Sequence, residues 1–166
     1  MHELRKDEML VYFNEINRRL AEEGTHGEIF ITGGAVLTLA FNARDSTRDI
    51  DAIFQPKENL RKIISSIAND FNLPYDWIND SVKVYVTDKM RFEKFLTYSN
   101  LTISTIDAEC LLAMKLSSAR DAIISKDEED SIFLMKTLGI QTEKELFNIL
   151  DKYIDPVMRK QRVYSS

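Results

Sequence analysis

The spacing of apolar residues along the chain predicts a series of helices. Apolar residues recur at helical spacing over residues 3–23, with charged residues between them, which predicts an amphipathic helix. Residues 34–43 are apolar nearly all round, so this helix is expected to be buried. Asp107 stands where an N-cap belongs, and Thr142 with Glu145 forms a capping box. Comparable signals predict helices over residues 57–71, about 107–125, 127–136 and 143–154.

Strands are predicted where apolar residues alternate or form short runs, over residues 28–32, 48–54, 81–86 and 101–106. This order of elements predicts an α/β (α+β) fold, in which a small mixed β-sheet carries flanking helices and the C-terminal part is helical. We expect a single domain, with an α/β core over residues 1–106 and a helical subregion over residues 107–166 packed on it. Trp77 is expected in the core, with stacking on a base as the alternative.

Composition and charge narrow the class of protein. The 166 residues are 44% hydrophobic and 30% charged, as in a soluble globular protein. No apolar run approaches the ~20 residues of a membrane span, the first residues lack the apolar core of a signal peptide, and one cysteine excludes an internal disulfide. We therefore expect a cytoplasmic protein without a membrane partner. The net charge of −5 argues against unspecific coating of nucleic acid, and the basic residues 159–162 are either a solvated helix end or a local RNA contact.

The candidate chemistry is concentrated between Gly33 and Asp51. Asp49 and Asp51 are two residues apart on a predicted strand, so their carboxylates share one face, roughly 6.6–6.8 Å apart along the strand. Two such carboxylates can bind hard divalent cations, although an isolated Asp-x-Asp is also common on solvated strand faces. Gly33 and Gly34 allow a phosphate to approach the backbone closely, at the start of a predicted helix. Together these residues predict a nucleotide–metal site.

A double glycine, a short helix and Asp-x-Asp resemble the signature of the DNA polymerase β-like nucleotidyltransferase superfamily. Fourteen residues separate Gly34 from Asp49, slightly more than in the compact form of the motif. The flank over residues 46–51 is similar to that of small stand-alone members in toxin–antitoxin and abortive-infection (AbiEii-like) systems. The resemblance implies a metal-dependent nucleotidyltransferase that uses an NTP with Mg²⁺ or Mn²⁺. Thr47 and Arg48 are expected to help set the loop that binds the nucleotide.

The resemblance also implies roles for the glycines and the acids. The backbone amides of Gly33 and Gly34 would hold the β- and γ-phosphates. Asp49 and Asp51 would bind two divalent ions, which typically lie about 3.5–4 Å apart in such sites. The hydroxyl group of the acceptor would attack the α-phosphorus in line, without a separate general base.

A third carboxylate from a later strand is common in this superfamily, and here the match is incomplete. The predicted strand over residues 81–86 carries no acid. Asp80, immediately before it, is the best candidate for a further catalytic carboxylate, and Asp76 and Asp88 are weaker ones. Without a third acid, the protein would be a weak catalyst or a nucleotide-binding remnant.

A second charged series lies on the later predicted helices. Lys115 stands in an apolar helical stretch, where it can extend to the surface or reach a phosphate. Arg120 is roughly 140° around the helix from Lys115. By the resemblance, Lys115 neutralises the triphosphate and Arg120 assists. Lys126, Asp127 and Asp130 resemble a recurrent Lys-Asp-x-x-Asp segment, although helix-start chemistry also explains the two acids.

The acceptor is open at this point. The toxin-like resemblance favours an RNA end, such as a tRNA, or a protein hydroxyl over a small molecule such as an aminoglycoside. It also suggests an antitoxin-like protein partner. Two other readings stay open, namely a catalytically weak or inactive nucleotide-binding module on the same fold and a metal-dependent hydrolase.

Overall fold

The computed structural model of the chain describes residues 3–80, 89–118 and 126–154, without the side chains of residues 118, 126 and 127. The helices are α1 (Lys6–Glu23), α2 (Ala35–Leu39), α3 (Lys57–Asp70), α4 (Ala108–Ser118), α5 (Lys126–Leu138) and α6 (Glu143–Tyr153). The strands are β1 (Leu4–Arg5), β2 (Gly27–Ile31), β3 (Ser46–Thr47), β4 (Ile50–Gln55), β5 (Ile78–Asn79), β6 (Phe92–Thr97) and β7 (Leu101–Ile106). Within these ranges, no helix has both the length and the apolar character that crossing a membrane requires.

Five of the strands form a mixed sheet in the order β5-β4-β2-β7-β6. The central strand β2 is antiparallel to β4 and parallel to β7. At the edges, β5 is parallel to β4 and β6 is antiparallel to β7. The two remaining strands, β1 and β3, form a separate antiparallel pair. The predicted fold class, a small mixed sheet with flanking helices, is confirmed.

The chain divides into two compact units. The first, called here the sheet unit, comprises Met1–Val84 and Phe92–Ile106 and contains both sheets with α1, α2 and α3. The second, called here the helical unit, comprises Tyr85–Arg91 and Asp107–Ser166 and contains α4, α5 and α6. The organisation as a single domain stays a prediction.

Gly27 shows which face of the sheet the helices cover. A Cβ at Gly27 would lie 2.8 Å from a leucine of α1 and 3.4 Å from a leucine of α3, so both helices pack against this face. Ile31 lies on the same face of β2 and pairs with Ala52 of β4. Because side chains alternate along a strand, the same face of β4 carries the buried residues Ile50, Ala52 and Phe54. Asp51 therefore points to the opposite face.

Three predicted elements are shorter in the structure, and one of them, the first helix, loses residues to a long-range strand pair. The helix predicted over residues 34–43 is reduced to the five residues of α2, and Asn42 beyond it has a φ of 52°. The strand predicted from residue 48 begins at Ile50, and residues 46–47 upstream of it pair with β1. The same pairing removes residues 4–5 from the predicted first helix. A segment distant in sequence thus competes with the local pattern for backbone hydrogen bonds.

The structure agrees with two predicted helix caps and with the predicted burial of Trp77. At the start of α4, the N–H of Cys110 donates to Asp107 Oδ1 at 2.9 Å. At the start of α6, the N–H of Glu145 donates to the hydroxyl of Thr142 at 3.2 Å. Both predicted caps are confirmed. Trp77 is fully buried and its indole N–H is hydrogen-bonded within the sheet unit, so it is a core residue.

Two segments of the sheet were not predicted, and three predictions concern residues outside those that the structure describes. The two-residue strand β5 lies in a stretch that the pattern leaves irregular. Strand β6 is half-exposed and lacks a clear alternation of apolar and polar residues. The strand predicted over residues 81–86, the end of the helix predicted to residue 125 and the basic residues 159–162 lie outside the described residues.

Candidate active site

β2 leads into the double glycine, and hydrogen bonds to β4 fix the position of this turn. Thr32 is fully buried, and its N–H and its hydroxyl both donate to the carbonyl oxygen of Asp51, at 2.9 and 3.3 Å. α2 starts directly after the turn, where the N–H of Val36 donates to the carbonyl of Gly33 at 3.0 Å. The turn is therefore held beside the strand that carries Asp51.

Each of the two glycines lies against a charged side chain. A Cβ at Gly33 would overlap Asp51 Oδ2 and would lie 3.1 Å from the Cβ and the Cγ of Asp51. A Cβ at Gly34 would lie 2.7 Å from Nη1 of Arg44. The missing side chains thus allow a carboxylate and a guanidinium to flank the same turn.

Arg44 is a candidate site residue that the sequence pattern does not reveal. It stands in the loop between α2 and β3, where no periodicity singles out one residue. The sequence feature that could have identified Arg44 is its position, since it is one of two arginines between α2 and Asp49. Its contact with Gly34 depends on how the loop folds back over the turn.

Asp49 directly precedes β4, and Asp51 is the second residue of that strand. The two acids interact electrostatically in a partly buried environment. The hydroxyl of Thr47 donates to the carbonyl of Asp49 at 3.1 Å and fixes the entry to the strand. Burial raises the pKa of the Asp49 carboxyl, and the negative charges of Asp51 and Asp76 raise this pKa further. The nearby guanidinium of Arg48 acts in the opposite direction. Thr47 and Arg48 thus both act on Asp49, and their contact with a nucleotide stays a prediction.

The donor set fits a divalent metal that also binds the substrate. Asp49 and Asp51 offer hard oxygen ligands, and their mutual repulsion would be relieved by a cation. Over the described ranges, no group of three or more histidine, cysteine, aspartate or glutamate side chains is placed to hold a metal ion. Mg²⁺ commonly binds to one or two protein carboxylates together with substrate phosphates and water. The two aspartates suit that mode better than a cage made only of protein ligands.

The structure does not bring Asp80 to this pair of acids. Asn79 pairs with Asp51 across β5 and β4, and Asp80 is the next residue along the chain. Its carboxylate lies 3.3 Å from Arg61 and 3.7 Å from Lys57, both on α3. Besides Asp51, the acid whose charge raises the Asp49 pKa is Asp76. Asp76 was the weaker of these two candidates from the sequence. Asp88 lies outside the described residues.

The second predicted series lies in the helical unit. The ammonium of Lys115 bonds to Asp130 Oδ2 at 2.9 Å, and both side chains are buried. α5 begins at Lys126, which places Asp127 in the first turn and not at the N-cap as predicted. Arg120 and the side chains of Lys126 and Asp127 lie outside the described residues. The nucleotide-binding roles of this series stay predictions.

Gly33→Ala is expected to lower the activity of the site about 10²-fold, because displacement of a reacting group by about 1 Å can cost that much. The new methyl group would overlap the Asp51 carboxylate and force that side chain or the turn to move. The measurement is the initial rate of the wild type and the variant at saturating NTP. Gly139→Ala is a control for strain alone, since a Cβ there meets nothing within 4 Å although its φ is 71°. A Gly33→Ala rate within threefold of wild type would contradict this contact.

Asp49→Asn is expected to stabilise the metal-free protein at pH 7. Because burial raises the Asp49 pKa, the folded state binds this proton more tightly than the unfolded state. The wild type therefore loses stability as the pH rises through the unfolded pKa of about 3.9 and then through the raised folded pKa. Asparagine does not titrate, so the advantage of the variant should be present at pH 7 and shrink toward pH 4. Urea unfolding in EDTA at several pH values measures this, and an advantage that grows on acidification would refute it.

A family model described as "Nucleotidyltransferase of unknown function (DUF6036)" matches residues 7–132. The matched region contains Gly33, Gly34, Asp49 and Asp51. No curated protein and no solved structure matches the chain. The finer resemblance, to the polymerase β-like superfamily and its AbiEii-like members, stays a prediction. Since the match covers more than half of the sequence, the chain belongs to the DUF6036 family of nucleotidyltransferases of unknown function.

Proposed function

We propose that this protein transfers a nucleoside monophosphate from an NTP to a hydroxyl group, in a reaction that depends on Mg²⁺ or Mn²⁺. The observation that carries the proposal is the contact of Gly33 with the carboxylate of Asp51, beside Asp49. A turn without side chains would let a phosphate chain approach the backbone. A cation held by the neighbouring acids would then neutralise that phosphate chain. Membership of a nucleotidyltransferase family supports this reading of the geometry.

The proposed reaction is a nucleophilic substitution at the α-phosphorus of the NTP. The acceptor oxygen forms a bond to the α-phosphorus, while the bond from the α-phosphorus to the oxygen bridging it to the β-phosphate breaks. That electron pair leaves with pyrophosphate, and the hydroxyl proton passes to water. Asp49 and Asp51 would hold the metal, which supplies charge neutralisation at the phosphates and acidifies the hydroxyl group. The Gly33-Gly34 turn would position the phosphate chain for in-line attack.

For the acceptor, we propose an RNA end, such as a tRNA, or a protein hydroxyl, in a toxin-type enzyme with an antitoxin-like partner. The support is the similarity of residues 46–51 to the small toxin and abortive-infection members. A small-molecule acceptor is the less favoured alternative.

The experiment that tests the function is an incorporation assay on the full chain. Each of the four α-labelled NTPs is incubated with Mg²⁺ or Mn²⁺ and with tRNA, total RNA or a protein extract. We expect label in one acceptor class, pyrophosphate released in equal amount, and loss of both in EDTA. Release of inorganic phosphate without incorporation would instead identify a hydrolase.

A second candidate is a nucleotide-binding module without significant catalysis. It is favoured by the ion pairs that Asp80, the best sequence candidate for a further carboxylate, forms with Lys57 and Arg61 of α3. Such a module would bind NTP and metal in a titration calorimeter. It would release no pyrophosphate with any acceptor, and this outcome distinguishes it from the enzyme.

A further inference from the structure

An open cavity of about 380 Å³ lies beside the glycine turn, within the sheet unit. Its walls come from the start of α1, from α2 and from the loop that follows α2. Arg44 lines this cavity and also lies against Gly34. The side chain of Arg44 therefore links a wall of the cavity to the turn that, in the proposed function, holds the phosphate chain of the donor.

Several groups on the walls can donate hydrogen bonds to an anion. Lys6 is half-buried, and its ammonium donates to the side-chain oxygen of Asn42 at 3.0 Å. No carboxylate of the described residues forms an ion pair with Lys6. Thr38 is 1% exposed, and its hydroxyl has no hydrogen-bond partner in the described part of the chain. Arg44 adds a planar guanidinium, which suits two phosphate oxygens at once.

The carboxylates on the same walls affect the electrostatic potential inside the cavity less than the cations do. Asp7 and Asp45 are exposed, whereas Lys6 and Arg44 are half-buried. Asp7 lies 3.7 Å from Arg5, and both of these side chains are exposed. Exposed charges are screened by water and salt more than partly buried ones. The interior of the cavity is consequently expected to favour an anion.

We propose that this cavity is a polyphosphate-binding subsite, in which Arg44 and Lys6 bind the terminal phosphates of the donor nucleotide and then the pyrophosphate product. The inference rests on the proposed function, because Arg44 lies both on the cavity wall and against Gly34 of the glycine turn. It assigns to two residues of the sheet unit the charge neutralisation that the sequence suggested for Lys115. Binding of phosphates to Arg44 and Lys6 alone would not itself require the metal that Asp49 and Asp51 are proposed to hold.

The test uses tripolyphosphate and pyrophosphate as probes, in calorimetric titrations of the full chain in EDTA. Arg44→Ala and Lys6→Ala should each weaken tripolyphosphate binding about tenfold or more, as expected for a lost hydrogen bond to a charged group. Arg18→Ala is the matched control, because Arg18 is an exposed arginine of α1 that does not line the cavity. Asp49→Asn/Asp51→Asn should bind the probe at least as tightly as wild type.

Two outcomes would overturn the inference. One is the absence of tripolyphosphate binding to the wild type, and the other is equal weakening in Arg44→Ala and Arg18→Ala. Thr38→Val, which is nearly isosteric, serves as a further variant if Arg44→Ala does not fold. It should weaken binding several-fold, and unchanged binding by both Thr38→Val and Lys6→Ala would also refute the subsite.

The inference and the proposed function can fail separately. Metal-free tripolyphosphate binding that depends on Arg44, without any NMP transfer, would support the subsite and reject the enzyme. NMP transfer with an unchanged KM for NTP in Arg44→Ala would support the enzyme and reject the subsite. Arg44→Lys keeps the charge without the planar guanidinium, and we expect it to restore part of the affinity.

Discussion

Replacing Asp49 and Asp51 together by asparagine is expected to lower NMP transfer by at least about 10³-fold. Loss of a single preorganised electrostatic group from an active site costs about 10²–10³ in rate, and this variant removes two charges. Asparagine preserves the size of each side chain, and the variant lacks the repulsion that raises the Asp49 pKa. The fold should therefore be retained. The measurement is the initial rate of label incorporation and pyrophosphate release, with circular dichroism to check the fold.

Asp70→Asn is the matched control for this experiment. Asp70 is a half-exposed aspartate of α3 that pairs with Arg19 at 2.8 Å. Its loss should leave the rate within about twofold of wild type, since surface ion pairs contribute little. Chelation of the metal with EDTA should abolish wild-type transfer as completely as the double substitution does. A double variant that keeps more than a tenth of the wild-type rate would remove these acids from the mechanism.

Asp130→Ala is expected to lower the free energy of unfolding by about 3–5 kcal/mol, the range seen when one partner of a buried ion pair is removed. The ammonium of Lys115 lies 2.9 Å from Asp130, and the two side chains are only 10% and 6% exposed. Alanine would leave the ammonium buried without this carboxylate. Urea unfolding of the full chain, followed by circular dichroism, measures the loss.

Two further variants separate the ion pair from general damage to α5. Lys115→Met/Asp130→Leu replaces the pair by apolar side chains and should recover most of the stability, because such replacements are often neutral or stabilising. Glu129→Ala removes an exposed acid next to Asp130 and should change stability by no more than about 0.5 kcal/mol. An Asp130→Ala variant as stable as Glu129→Ala would show that the pair contributes nothing.

The buried pair also bears on the nucleotide-binding role that the sequence suggests for Lys115. To bind a triphosphate, the ammonium would have to leave Asp130 or be shared with it. In the sheet unit, by contrast, Arg44 already lies against Gly34. Arg44 is therefore a further candidate for the group that neutralises the phosphates, beside the glycine turn.

Much of the local structure could be predicted because it depends on residues that are close in the chain. The alternation from Ile50 to Phe54 identified the buried face of β4 and placed Asp51 on the other face. The capping residues Asp107 and Thr142 bond to backbone groups three residues away. The predictions failed where distant segments pair, since β1 joins β3 across some forty residues and takes residues 4–5 out of the predicted first helix.

The sequence by itself determined the fold class, the glycine turn and the two acids at the start of β4. Only the tertiary structure decided which charges meet. Asp80 is turned to Arg61, 19 residues away in sequence, and Lys115 is paired with Asp130, 15 residues away. Arg44 is a candidate site residue only because its side chain lies against Gly34 in the folded protein. A motif records short-range geometry, whereas the partner of a charged side chain depends on how separate elements pack, and no local pattern specifies that packing.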